Sequence, residues 1–267
     1  MTGHIIKRRV LPFAIAASLL VVGACDNSDP GDEAPALFLD DTFELGTDFF
    51  DPSAQPKTAA GIHFGAAALR VWPVSLILTA NLILPAAVTH AATQVDPVFE
   101  DDAWHWSTTT TAYGQQTISL DLSATPSSPG HDWSMIVSFA HGAIPITDFE
   151  LFSAHTENNG TEGSWQLFYP DGDESVNVLD AEFNKDSETD KQLTFAIPDD
   201  AAQNAGDSVT YTEDGDLRTF RWIQVDAELQ TYVEWDHVTQ EGSITATNYN
   251  SGEKACWDAD LEDVVCP

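Results

Sequence analysis

The chain has 267 residues and is strongly acidic, with 43 Asp and Glu against 10 Lys and Arg and a net charge of −33. That length allows one sizeable domain or two small ones. Hydrophobic residues make up 43% of the chain and charged residues 20%, which excludes a mainly disordered acidic tail. The charge excludes nucleic-acid binding through a basic face, because too few cations are present to neutralise phosphates. Three cysteines are too few for a disulfide scaffold and lack zinc-site spacing.

The first 24 residues have the anatomy of a secretory signal. A basic end at residues 7–9 precedes an apolar stretch at residues 11–22, which is too short to span a bilayer comfortably. The four residues that close it, Val22-Gly23-Ala24-Cys25, resemble the lipobox of bacterial lipoproteins. That resemblance implies lipidation of Cys25 and a chain anchored in the bacterial cell envelope, at the periplasmic face or the cell surface. An ordinary cleavage site beside a chance cysteine is the alternative.

The next segment, residues 25–58, is predicted to be an acidic tether between the lipid and the domain. Residues 26–56 contain nine acids, four prolines and no Lys or Arg. Apolar residues alternate with these acids, so the stretch either packs back on the domain or meets a partner.

The strongest hydrophobic run is residues 71–88, which are 18 residues without a charge. As a helix this run is apolar on nearly every face, so it has to be surrounded by protein or by a bilayer. Because lipid already supplies an anchor, and because Arg70 and His90 flank the run, we expect a buried helix or a lid rather than a membrane span. Pro85 is expected to end or kink this helix.

From Ala103 onward the hydrophobic period changes to two, which is typical of half-buried antiparallel strands. Ile118, Leu120 and Leu122, for example, alternate with polar residues, and turn-forming residues separate the runs. About eleven strands are predicted: 103–111, 115–123, 132–139, 147–156, 163–170, 175–184, 191–197, 207–212, 217–226, 230–239 and 242–249. Residues 59–267 are therefore predicted to form one mainly β domain, an antiparallel meander that makes a closed or half-open barrel with the apolar helix packed on or in it.

Two cysteines remain near the C-terminus, and they lie ten residues apart in the chain. In an exported protein we expect Cys256 and Cys266 to form a disulfide that ties the last residues to the domain. The structural role is favoured over a reactive one.

The chain also carries Trp104-His105-Trp106 in its first predicted strand and Lys254-Ala255-Cys256-Trp257-Asp258 with Cys266 at its end. Together with the signal and an apolar segment that ends in a proline, these residues resemble a group of bacterial envelope lipoproteins. No activity comes with that resemblance. One apolar helix with about eleven antiparallel strands is also similar in organisation to the lipoprotein-localisation factors, open β-barrels whose helical lids cover acyl chains.

Motifs that would carry chemistry are absent from the sequence, including the nucleophile elbow, HExxH, CxxC, the P-loop and GxGxxG. The histidines that follow the signal lie at no metal-ligand spacing: His63, His90, His105, His131, His141, His155 and His237. An EF-hand spacing is imitated by Asp171, Asp173, Ser175, Asn177 and Glu182, but Val176 stands where the calcium loop needs Gly. That segment is interpreted as a hairpin turn, so no catalytic residue, metal ligand or cofactor is predicted.

Aromatic and acidic residues each leave two interpretations open. The eight tryptophans suggest a platform for carbohydrate stacking, although filling a small barrel is the favoured role. Asp outnumbers Glu by 28 to 15, which is the profile of a surface adapted to high salt or of an acidic secreted protein.

The function predicted from these features is that of a lipid-anchored envelope protein without enzymatic activity, which binds a hydrophobic ligand or acts as an interaction module. Its expected partners are the membrane, through the N-terminal lipid, and a hydrophobic small molecule or an envelope protein. The alternatives are an envelope hydrolase with residues scattered over strands and a carbohydrate-binding module. A large apolar cavity beside the helix would favour a ligand carrier, whereas a packed interior would favour the interaction module.

Overall fold

A computed structural model describes residues 34–35, 45–53, 60–92, 94–112, 116–141, 144–171, 174–201 and 203–267. The signal, Cys25 with its lipobox and most of the predicted tether lie outside these residues. The described part consists of one long helix followed by an antiparallel sheet.

The helix α1 spans Ile62–Ala92 and has 31 residues. It begins nine residues before the run predicted from the sequence, because Arg70 does not interrupt it. The Arg70 guanidinium donates one hydrogen bond to the Ala66 carbonyl, 2.8 Å away, and another to Asn248 Oδ1 at 3.0 Å. Nor does the helix end at Pro85, since its backbone continues through the alanine-rich residues that follow, and alanine has the highest helix propensity.

The strands form a single 14-stranded sheet in which each strand pairs with its neighbours in sequence, all antiparallel. They are β1 (Val98–Glu100), β2 (Ala103–Ala112), β3 (Gln116–Pro126), β4 (His131–His141), β5 (Ile144–Glu157), β6 (Glu162–Asp171), β7 (Glu174–Lys185), β8 (Asp190–Ala196), β9 (Ser208–Asp214), β10 (Leu217–Gln224), β11 (Leu229–Asp236), β12 (Gly242–Ala246), β13 (Ala255–Trp257) and β14 (Asp263–Val264). The prediction of a mainly β, antiparallel fold with one apolar helix is confirmed.

The predicted strand count and barrel closure are not confirmed. Strands β2 to β12 correspond to the eleven predicted ones, and β1, β13 and β14 are additional. These three have two or three residues each, too few for an alternating pattern to be detected. The strand order starts at β1 and ends at β14, so the sheet is open over the described residues.

The sheet curves so that both of its ends reach the helix. Helix α1 contacts β2 and β3 near one end of the strand order and β11 to β14 at the other. Strands so far apart in a sheet can contact one helix only if the sheet bends towards it or the helix crosses the opening between its ends. The helix therefore bridges the two ends of the sheet.

Side chains on the inner face of the sheet form a packed core. The largest of those that are less than 2% exposed come from strands throughout the sheet: Trp235, Trp257, Tyr211, Phe152, Phe195, Phe220, Leu122 and Met135. Aromatic rings contact one another here, with the Trp106 and Trp133 rings stacked at 5.8 Å between centroids. The outer face carries mainly Ser, Thr, Asp and Glu, as the alternation along the strands requires.

Part of the predicted tether belongs to this core. A short 3₁₀ turn, Asp48–Phe50, places the Phe50 ring against Trp235, with 4.9 Å between ring centroids. Leu45 is also buried, and the Gly46 N–H donates to the Tyr211 hydroxyl at 3.1 Å. Of the two alternatives for this stretch, packing back on the domain therefore holds for residues 45–51.

Candidate functional site

The inner face of α1 rests on the sheet. Its members recur every three or four residues, share one side of the helix and are at most 6% exposed: Phe64, Ala67, Val71, Ser75 and Leu78. The Phe64 ring meets Trp257 edge to face at 5.7 Å between centroids. The one polar member, Ser75, donates its hydroxyl to the Val71 carbonyl at 2.9 Å, which satisfies it within the helix.

The opposite side of α1 is equally apolar but exposed, and we call it the outer stripe. Its residues follow at intervals of seven, four, three and one: Ile62, Leu69, Pro73, Leu76 and Ile77. Leu69 is 77% exposed and Ile77 61%. Large apolar side chains gathered on one exposed face are typical of an interaction surface. The outer stripe is therefore the candidate functional site.

The outer stripe lies within an apolar segment that passes the length and composition test for a membrane span. The window Ile62–Thr79 has a mean hydropathy of 1.4, and 33% of it is buried within the molecule. The five residues of the inner face account for most of that burial because they contact the β domain. Within Ile62–Thr79, one side of the helix is therefore covered by protein and the opposite side is exposed.

The same part of the chain is free of acids. Residues 52–95 contain no Asp or Glu, although the chain has 43 of them. Arg70, His63 and His90 are the basic or titratable groups on α1. The outer stripe therefore belongs to a segment that carries no carboxylate of its own, although the Asp263 carboxylate from the last strand lies at its Ile62 end.

The N-terminus of α1 is held by the last strand. The Asp263 carboxylate accepts the backbone N–H groups of Ile62, at 3.2 Å, and of His63, at 2.9 Å. The Gly61 N–H donates to the Leu261 carbonyl at 2.8 Å. Asp263 thus caps the first turn, where unpaired N–H groups and the helix dipole favour a negative charge.

A disulfide fixes the strand that carries this cap. Cys256 on β13 and Cys266, just beyond β14, are bonded, with their Cα atoms 5.2 Å apart. This is the pairing expected from the sequence. Because β14 has only two residues, the disulfide supplies much of its attachment to the sheet.

His63, Tyr249 and Arg70 meet beside the capped end. His63 Nδ1 lies 2.6 Å from the Tyr249 hydroxyl, and the Arg70 guanidinium carbon lies 5.4 Å above the Tyr249 ring. Burial, with the negative charge of Asp263, raises the pKa of the Tyr249 hydroxyl, although Arg70 opposes the shift. The Tyr249 hydroxyl therefore stays protonated at neutral pH. Because His63 and Arg70 both lie on α1 and Tyr249 lies in the loop before β13, these contacts hold the helix against that loop.

A second histidine lies between carboxylates on the outer face of the sheet. His155 Nδ1 is 2.6 Å from Asp132 Oδ1, and Nε2 is 3.4 Å from Glu157 Oε1. The hydrogen bond to Asp132 raises the pKa of His155, against the opposing effect of burial. With both ring nitrogens facing carboxylates, the protonated form of His155 is stabilised and forms ion pairs with Asp132 and Glu157.

A buried charge network closes the interior near residues 45–51. Glu213 accepts an ion pair from Lys191 Nζ on Oε1 and from Arg218 Nη2 on Oε2, each at 3.2 Å. The Tyr211 hydroxyl donates to Glu213 Oε1 at 2.8 Å. Burial, together with this carboxylate, raises the pKa of Tyr211 well above its usual range. Each buried charge has a partner of opposite sign, and Arg218 also donates to the Gly215 and Leu217 carbonyls. We therefore assign the network to structure.

A shallow polar depression of about 330 Å³ lies on the outer face of β2 to β5. Its hydroxyls and carboxylates are bonded to one another across strands, as Ser107 is to Asp121 at 3.1 Å and Ser138 to Asp148 at 3.3 Å. Such cross-strand pairs stabilise neighbouring strands. The depression is therefore part of the construction of the sheet.

The other residues singled out in the sequence are dispersed. His105, His131, His155 and His237 lie on the sheet or its turns, and the side chain of His141 is outside the described residues. Asp173 of the EF-hand imitation is also outside them, and the remaining residues of that pattern fall in β6 and β7. Within the described ranges, no three His, Cys, Asp or Glu side chains are placed to hold one metal ion.

Tryptophans fill the core instead of forming a platform. The buried ones are Trp104, Trp106, Trp133, Trp165, Trp235 and Trp257. Their rings are covered by other protein atoms and so cannot stack on a sugar. This outcome favours the core-filling interpretation over the carbohydrate-binding one.

The outer stripe was not identified from the sequence, because a helix that is apolar all round gives no sign of which face is covered. Two signals were available. The residues 62, 69 and 76 repeat at heptad spacing, and the acid-free stretch from 52 to 95 can be counted directly.

Comparisons with protein-family models, with curated proteins and with solved structures find no match to this chain. The resemblance to envelope lipoproteins therefore stays a prediction, and the function has to be argued from the residues themselves.

Proposed function

We propose that this protein is a lipid-anchored protein of the bacterial cell envelope that acts as a non-enzymatic interaction module. Lipid on Cys25 would anchor it, the chain that follows Cys25 would link the lipid to the domain, and the domain would present the outer stripe. The observation that carries the proposal is the contrast on α1, where one apolar face is packed and the other is exposed.

The packed interior favours an interaction module over a ligand carrier. Inner-face side chains such as Met135, Leu193 and Phe220 are fully buried against protein. A carrier requires an apolar cavity large enough for its ligand. On α1, by contrast, four large apolar side chains are exposed along one side of a single helix: Ile62, Leu69, Leu76 and Ile77.

A hydrophobic-ligand carrier is the second candidate, because α1 bridges the two ends of an open, curved sheet. A helix in that position could move as a lid. Against this, its N-terminal half is fastened by the Asp263 cap, the His63–Tyr249 contact and the disulfide that holds β14.

Two measurements test the proposal. Mass spectrometry of the membrane-extracted protein should show an acylated N-terminal Cys25, and the Cys25→Ser protein should lack the acyl group. An unmodified chain that begins elsewhere removes the lipid anchor from the proposal.

The second measurement separates the two candidates. The non-lipidated chain from residue 26 to 267 is titrated with a fluorescent fatty acid in the absence of membranes, and we expect no saturable uptake. Saturable uptake at one probe per protein, blocked by an unlabelled fatty acid, would replace the interaction module with the carrier.

A further inference from the structure

We propose that the outer stripe of α1 seats on the surface of the lipid bilayer, with the helix lying in the plane of the interface. The inference rests on the proposed lipid anchor and names the partner of the interaction surface. It starts from the exposure of Ile62, Leu69, Leu76 and Ile77 on one side of a helix whose other side is covered by the domain.

The geometry is that of an interfacial helix. The stripe from Ile62 to Ile77 extends about 22 Å along the axis at 1.5 Å per residue. Because Phe64, Val71 and Leu78 contact the β domain on the opposite side, the helix cannot be surrounded by lipid without leaving its fold. Trp72, half-buried at the edge of the stripe, is a residue type enriched at the membrane interface.

The charge distribution points to the bilayer rather than to a protein of ordinary surface charge. The chain carries −33, and anionic head groups would repel most of its surface. The acid-free residues 52–95 are the longest stretch without a carboxylate, and the outer stripe lies in it. That surface can approach a bilayer closely while the acidic sheet remains in water.

The position in the chain supports the same partner. Cys25, the predicted lipid attachment point, precedes Ile62 by 37 residues. The lipid would therefore hold the domain close to the bilayer. Insertion of the stripe would give a second membrane contact, and stable attachment to membranes generally uses two.

A second copy of this chain is the competing occupant of the outer stripe. Two copies would bring two strongly acidic bodies together, and their repulsion opposes dimerisation. The experiment below therefore measures both vesicle binding and association state.

The test uses the non-lipidated chain from residue 26 to 267, which contains every residue that the structure describes. It is mixed with phosphatidylcholine vesicles and separated by flotation, and sedimentation measures its mass without vesicles. We expect a monomer that floats with the vesicles. Since insertion is apolar, salt should leave this binding unchanged, whereas binding to vesicles with equal parts of phosphatidylglycerol should strengthen as salt screens the repulsion.

Three variants locate the contact. Leu69→Asp and Ile77→Asp should each lower the vesicle partition coefficient about tenfold or more, because a large apolar side chain is replaced by a charge. The matched control is Val238→Asp, since Val238 is 67% exposed and lies in the turn after β11. This control should bind vesicles like the unaltered chain. Circular dichroism should show the same thermal midpoint for the Leu69 and Ile77 variants as for the unaltered chain.

Three results would overturn the inference. The first is that the chain does not float with the vesicles. The second is that Leu69→Asp and Val238→Asp float to the same extent, and the third is that the chain forms a dimer which Leu69→Asp dissociates, with no vesicle binding. None of them bears on acylation of Cys25, which is measured separately, so failure here is distinguishable from failure of the lipid anchor.

Discussion

The two faces of α1 have nearly the same composition and opposite surroundings. Leu78 is 6% exposed and its neighbour Ile77 is 61% exposed, although both are large aliphatic residues in one helix. What differs is burial: Leu78 belongs to the hydrophobic core, whereas most of the Ile77 side chain is exposed. Hydropathy therefore locates the helix but does not distinguish its two faces. The burial of each side chain in the fold does distinguish them.

The largest expected effect comes from placing a charge on the inner face. Leu78→Asp should lower the free energy of unfolding by about 3 kcal/mol or more, because it removes a buried side chain and leaves an unpaired carboxylate in an apolar site. Ile77→Asp makes the same chemical change one residue away and should alter stability by no more than about 0.5 kcal/mol. Urea unfolding followed by circular dichroism measures both. Equal losses in the two variants would show that the faces do not differ as described.

The next effect concerns the disulfide that holds the last strand beside the helix. The double variant Cys256→Ser with Cys266→Ser should lose about 2–3 kcal/mol, chiefly because the unfolded chain gains freedom when the short loop is opened. Val265→Ser, in the same segment, keeps the disulfide and should change stability by less than about 0.5 kcal/mol.

Thiol labelling of the native oxidised protein provides an independent check on this bond. We expect neither Cys256 nor Cys266 to react until a reductant is added. Two reactive thiols before reduction, or a double variant as stable as the original chain, would contradict the role given to the bond.

A smaller effect is expected at the cap of α1. Asp263→Ala removes the acceptor for the N–H groups of Ile62 and His63 and should cost about 1 kcal/mol. Asp260→Ala, an exposed acid in the turn before β14, serves as the control and should cost much less. Hydrogen exchange at the His63 amide should quicken in the Asp263 variant alone. Unchanged exchange there would mean that the inner face, and not the cap, fixes the start of the helix.

Most of the sheet could be predicted because its signal is local. Strands β2 to β12 have at least five residues each, so an alternating pattern and its bounding turns can be read directly. Strands β1, β13 and β14 exist through pairing with a neighbour, as in the register of Cys256 with Val264. Such short segments have no periodicity of their own.

The start of the helix and the composition of the core depend on contacts between distant residues. Asp263 caps a helix 200 residues earlier in the chain, and no local pattern predicts that partner. Phe50 lies in a segment rich in acids and prolines, yet its ring is buried against Trp235. The long apolar run predicts α1, but which face of α1 is buried depends on where the sheet packs against it, and the run does not contain that information.

The smallest expected effect lies on the sheet, where it tests whether the contrast on α1 is local. The hydrogen bond between the His155 ring and Asp132 raises the pKa of His155 above the unfolded value near 6.5. The folded state therefore binds this proton more tightly than the unfolded state does. The resulting stabilisation is complete below that unfolded pKa and is lost as pH rises through the folded value. Because the Asp132 side chain is 61% exposed, screening should limit the effect to at most about 0.5 kcal/mol.

Asp132→Asn should reduce this pH dependence, because only Glu157 then stabilises the protonated ring, and an NMR titration should show the pKa of His155 falling. Unfolding curves recorded below and above the folded pKa give the corresponding difference in stability between the variant and the original chain. The Leu78→Asp and Ile77→Asp contrast should be the same at both pH values, since His155 lies on the outer face of β5 and is not among the contacts that hold α1. A contrast that changed with the protonation of His155 would mean that the sheet transmits its surface charge to the helix, and that the two faces of α1 are not set by local burial alone.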